Sequence, residues 1–114
     1  MTQPEGRDFY DRQIRYLADK DVDGLINNQY TDDAEIVSFD FVKKGRAALL
    51  DHFRGYLDQL GGIELVSTDN FRATEDSIYF EATVRTGTYG LVRVYDVWVL
   101  EGGKIARHFT GRLS

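Results

Sequence analysis

The ten residues LVRVYDVWVL at 91–100 constrain the fold more than any other stretch of this chain, because both faces they offer as a strand are rich in apolar side chains. At strand spacing Val92, Val94, Asp96, Trp98 and Leu100 share one face, and Leu91, Arg93, Tyr95, Val97 and Val99 share the other. The first face is a hydrophobic wall with a single carboxylate in it. An ionised carboxylate is costly there unless it is paired, hydrogen-bonded or open to a water-filled cavity; the remaining option is protonation. A buried acid–base site needs one of these outcomes, and a structural ion pair of Asp96 with Arg85, Arg93 or Arg107 supplies the first.

Around that strand, helical and strand periodicities follow one another along the chain. Phe9, Tyr10, Gln13, Ile14, Tyr16 and Leu17 recur at helical spacing until about Asp19-Lys20. Asp21 then fits the N-cap of a shorter helix that buries Val22, Leu25, Ile26 and Tyr30 and stops at Thr31-Asp32-Asp33. Residues 34–42 alternate as a strand, with Ala34, Ile36, Ser38 and Asp40 on one side. A third helix follows Lys43-Lys44-Gly45, carries Leu49, Phe53, Tyr56, Leu57 and Leu60, and closes at Gly61-Gly62. Strand patterns fill 63–74, 78–87, 91–101 and 104–113, and Gly102-Gly103 is a strong two-residue hairpin signal. Helices first and a meander afterwards predict a single α+β domain over 1–114: a curved antiparallel sheet with three N-terminal helices packed over one face.

Composition narrows the function. The chain has no cysteine, which removes disulfides, thiolate catalysis and cysteine-bound metal. Two histidines, His52 and His108, do not make a usual catalytic zinc site, and neither an HExxH motif nor a glycine-rich phosphate loop is present. No metal or other cofactor is therefore expected. The net charge of −5 disfavours nucleic acid and anionic membranes as partners. No apolar run approaches the ~20 residues of a membrane span, and the first ten residues lack the pattern of a secretory signal, so a cytoplasmic location is expected.

Four strings, DVDGL at 21–25, YTDDAEI at 30–36, GRAALLDHF at 45–53 and YDVWVLEGGKIARHF at 95–109, resemble in order and spacing the nuclear transport factor two-like superfamily. This is the cone-shaped α+β fold of ketosteroid isomerases, SnoaL-like polyketide cyclases and limonene epoxide hydrolases. The resemblance implies that Asp96 is the family's acid on the strand before the final hairpin. The family's partner tyrosine, eight residues before the aspartate of the second helix, falls on Gln13, with Tyr10 and Tyr16 a turn to either side. Its general base falls on Ser38, and Asp40 is the nearest carboxylate. A limonene epoxide hydrolase pocket would want an arginine among the acids, and Arg93 has the wrong strand parity. The family also buries its convex sheet face against a second copy, which would cover Tyr95, Val97 and Val99 in a homodimer.

Four residues are thus candidates for catalysis: Asp96 to polarise or protonate a substrate oxygen, Asp40 to move a proton, and Tyr16 and His108 to assist. The facing of His108 depends on register. A plain hairpin at Gly102-Gly103 sets Phe109 opposite Asp96 and turns His108 away, whereas one bulge brings His108 against Asp96. His52, at the edge of the third helix's stripe, reads as structural or exposed. Two functional classes stay open. One is a cofactor-independent isomerase, cyclase or hydratase acting on an apolar carbonyl- or epoxide-bearing small molecule; the other is a non-catalytic ligand-binding or dimerisation module.

Overall fold

A computed structural model describes residues 2–114. Helix α1 (Gln3–Ala18) opens on a capping box, in which Thr2 accepts from the Glu5 amide and Glu5 accepts from the Thr2 amide, with Pro4 in the first turn. Phe9, Tyr10 and Gln13 form its buried side. Lys20, with φ 57°, turns the chain into α2 (Val22–Gln29), whose N-cap Asp21 accepts from the Gly24 amide. That helix buries Val22, Leu25, Ile26 and Gln29.

Here the chain departs from the pattern read in its sequence. Tyr30 is buried, but it is already extended and begins strand β1 (Tyr30–Val37). Thr31-Asp32-Asp33 therefore lies within a strand rather than a turn. The strand also ends early: Ser38 to Phe41 form a turn closed by the Ser38 amide on the Phe41 carbonyl, and β2 (Val42–Lys44) folds back on β1. Alternation alone could not separate a strand from a tight hairpin carrying Asp40 at its tip. Helix α3 (Arg46–Leu60) follows, burying Leu49, Phe53, Leu57 and Leu60, and ends on Gly61 in the left-handed conformation that glycine tolerates.

The remainder is the expected meander, β3 (Ile63–Ala73), β4 (Ser77–Thr86), β5 (Gly90–Glu101) and β6 (Lys104–Arg112). The strand order is β2-β1-β6-β5-β4-β3. Every pairing is antiparallel except β1 with β6, so the sheet is mixed rather than wholly antiparallel. Its direction could not be read from a strand pattern, because β1 is joined to the meander through α3, and where that helix lies decides which way β1 meets the free edge of β6. Register shifts within β3–β4 and β5–β6 bend the strands, and the helices fill the concave side. Phe9, Tyr10, Phe80 and Trp98 form the aromatic centre of that core, with Phe80 edge-on to Trp98 at 4.9 Å.

Candidate active site

The site begins with one extra residue. In β6, Ile105 pairs with Leu100 but Arg107 pairs with Val99, leaving Ala106 as a bulge. The strand's parity changes there. His108 now stands opposite Trp98 and Thr110 opposite Asp96, so the imidazole and the carboxylate share the concave face, diagonally adjacent. His108 Nε2 lies 2.6 Å from Asp96 Oδ1. Of the two registers that the sequence left open, the bulged one is found.

None of the three arginines considered as partners for Asp96 reaches it. Arg85 pairs with Glu64, Arg107 with Glu35, and Arg93, on the outer face, with Asp69 and Glu81.

Behind His108 runs a chain of buried amides and hydroxyls whose direction is fixed at its far end. Gln29 Nε2 donates to the Phe9 carbonyl (3.1 Å) and to Gln13 Oε1 (3.4 Å). Gln13 therefore presents its own amide hydrogens to Tyr30, whose oxygen accepts at 2.9 Å. Tyr30 in turn donates to His108 Nδ1, 2.9 Å away, since its hydroxyl has no other acceptor among the described residues. This leaves the imidazole hydrogen on Nε2, which donates to Asp96. The tautomer is assigned from the network, and each member has the role that its neighbour requires. Burial, foremost, holds the Tyr30 phenol far above its ordinary value; the Gln13 hydrogen bond opposes that rise and the Asp96 charge adds to it. Tyr30 is accordingly a fixed donor.

Asp96 is the end of this chain that meets open space. Its side chain is 11% exposed and lines a cavity of about 430 Å³ between the sheet and the helices. Oδ1 is taken by His108, while Oδ2 has no hydrogen-bond partner among the described residues and is not sealed in. The walls around it are mostly apolar, from Ile14 and Leu17 of α1, Ile36 of β1, Phe53 of α3 and Val92 and Trp98 of β5. Such a cavity can admit a small apolar molecule and set one carboxylate oxygen against it in a setting of low polarity. Trp98 Nε1 is buried without a partner, and nothing in the structure explains it.

The other sequence candidates are placed differently. Asp40 lines the cavity from the Ser38–Phe41 turn but is exposed at its rim, beside Phe39, a residue 94% exposed. Tyr16 does not line the cavity: its hydroxyl accepts from Asn28 on the outside of the helices, because one turn along α1 from Gln13 the side chain has passed to the α2 side. The Tyr10 hydroxyl is taken by Thr68 at 2.8 Å. Tyr30, Gln29 and the cavity-lining His52 and Tyr56 were not singled out for a site in the sequence. Two signals pointed toward them: Gln13 holds the family tyrosine's position, and His52 and Tyr56 are spaced i, i+4 on α3.

Comparison with known proteins agrees with this architecture. The family model described as SnoaL-like domain matches residues 7–108. Among solved structures, a candidate isomerase of the SnoaL-like family from Agrobacterium tumefaciens superposes with a TM-score of 0.82 at 10% identity, covering 97% of this chain and 99% of that one. A candidate ketosteroid isomerase from Kribbella flavida DSM 17836 gives 0.81 at 13% identity, with coverage of 98% and 80%. A candidate polyketide cyclase from Sinorhizobium meliloti gives 0.79 at 17%, with coverage of 91% and 94%. No curated protein matches the sequence. At these identities the structural likeness concerns the fold.

Proposed function

This chain belongs to the SnoaL-like domain family, and from that premise we propose that it is a cofactor-independent acid–base enzyme of the isomerase, cyclase or hydratase type. Its substrate is a small apolar molecule bearing a carbonyl or an epoxide, held in the cavity against Asp96. The observation that carries this reading is the free Oδ2 of Asp96 in an apolar cavity, backed through Oδ1 by the oriented His108–Tyr30–Gln13–Gln29 chain.

In the simplest case Oδ2 takes a proton from the carbon next to the substrate carbonyl and returns it to another carbon. The hydrogen bond from His108 holds the carboxylate in place in both protonation states. Asp40, at the rim, exchanges protons with water. Tyr16 has no part in the chemistry. The test is exchange of α-hydrogens for deuterium in a panel of small cyclic and aryl ketones. Wild-type protein should catalyse exchange in some of them, and Asp96→Asn should lose it by about 10²-fold or more while remaining folded. Binding without exchange anywhere in the panel favours the second reading, a ligand-binding module, whose supporting observation is that both His108 nitrogens are already engaged within the protein.

We also propose a homodimer through the outer sheet face. Val97 stands between Tyr79 and Phe109 in cross-strand register there, and those two residues are 37% and 36% exposed. The ring of Tyr95 lies over Gly111, which keeps that part of the face low enough for close approach.

A further inference from the structure

We propose that Tyr56 and His52 form the second half of the site, a pair of hydrogen-bond donors on α3 that hold the substrate's oxygen while Asp96 works on its carbon. The assignment deepens the enzyme reading above and rests on it for the role of Asp96.

Both side chains line the cavity. Among the described residues, neither the Tyr56 hydroxyl nor either His52 nitrogen has a hydrogen-bond partner, and none of these atoms is sealed in the interior. Several other polar groups of the site are occupied within the protein, and Trp98 Nε1, though unpartnered, is sealed in the interior. Gln13, Tyr30 and His108 occupy one another, and the cavity-lining Tyr89 hydroxyl accepts from Gln59. On α3, where Gln59 donates to Tyr89, the cavity-lining polar side chains left without a partner are His52 and Tyr56, one turn apart. They are also held in place: His52 stacks on Tyr56 with ring centres 5.9 Å apart and 16° between planes, and it packs against Phe41 at 5.0 Å and Phe53 at 5.3 Å.

Their surroundings keep both as neutral donors. Burial, foremost, and the Asp96 charge push the Tyr56 phenol up to about 12, so it retains its hydrogen. Burial, then His108 and Lys43, lower the His52 imidazole, with Asp51 opposing, so that it offers one N–H and one free nitrogen. A neutral imidazole and a neutral phenol are suited to an oxygen that gains charge during reaction. The step balances without a further reactant. The C–H bond beside the carbonyl breaks and the proton goes to Asp96 Oδ2. The electron pair forms the enolate double bond, and the carbonyl π pair moves to the oxygen held by Tyr56 and His52. The proton then returns to carbon.

A phenolate imitates the enolate, and the Asp96→Asn substitution imitates the protonated acid. The experiment is binding of 4-nitrophenol, read by quenching of Trp98, the chain's one tryptophan and part of the cavity wall, and by the absorbance of the bound phenolate. Asp96→Asn should bind at least 10-fold more tightly than wild type. Adding Tyr56→Phe should loosen that binding about 10-fold, and His52→Phe about 3- to 10-fold. Tyr16→Phe, which lies outside the cavity, should change nothing. Equal affinity with and without the Tyr56 hydroxyl overturns the assignment, as does failure of Asp96→Asn to bind the probe. If Tyr56→Phe loosens the probe but wild type exchanges no ketone hydrogens, the oxygen site stands and the enzyme reading falls. If exchange occurs and is unaffected by Tyr56→Phe, the reverse holds.

Discussion

Removing one hydroxyl from each of two tyrosines isolates what the buried hydrogen-bond chain is worth. Tyr30→Phe takes away the atom that accepts from Gln13 and donates to His108. Tyr30 and Gln13 are each 2% exposed and His108 is 6% exposed, so water cannot readily replace it. An unsatisfied buried group costs ~1–3 kcal/mol, and two are created, Gln13 Nε2 and His108 Nδ1. Partial re-aiming of Gln13 toward Gln29 recovers some of this, so the expected loss is about 2–4 kcal/mol. Tyr16→Phe deletes the same atom from an exposed bond to Asn28, where water takes over, and should cost about 0.5 kcal/mol or less. Urea unfolding at unchanged m measures both. For 114 residues the melting temperature moves by roughly 4 °C per kcal/mol, so Tyr30→Phe should melt about 8–16 °C lower and Tyr16→Phe within about 2 °C of wild type. Losses within 0.5 kcal/mol of each other would refute the reasoning, because the chain would then not be shielded from water.

His52 sets a pH dependence whose sign follows from its environment. Folding lowers its proton affinity from the ordinary 6.5, so below that pH the unfolded chain binds more protons and stability falls as the pH drops. Unfolding measured from pH 7.5 to 5 should show a smaller decline in His52→Gln than in wild type, and parallel curves would contradict the assigned environment. The outer sheet face should make the protein a dimer at micromolar concentration in sedimentation equilibrium. Val97→Lys, which sets a charge between Tyr79 and Phe109, should return it to monomer without unfolding it, whereas a wild type that stays monomeric throughout removes the interface.

Sequence by itself determined most of the elements and singled out the carboxylate around which the candidate site is built. The helical stripes of α1 and α3, the Asp21 cap, the Gly61 stop and the four meander strands were legible because each is a local matter of periodicity, capping or turn chemistry. Asp96 was legible for the same reason: it breaks a strand face that is otherwise apolar. The tertiary structure decided everything that depends on a partner far along the chain. The parallel union of β1 with β6, the turn that carries Asp40 to the rim, and the passage of Tyr16 away from the cavity follow from how the elements dock. Above all, one bulged residue, Ala106, decides whether His108 faces Asp96, because in a period of two a single insertion exchanges the faces of everything beyond it.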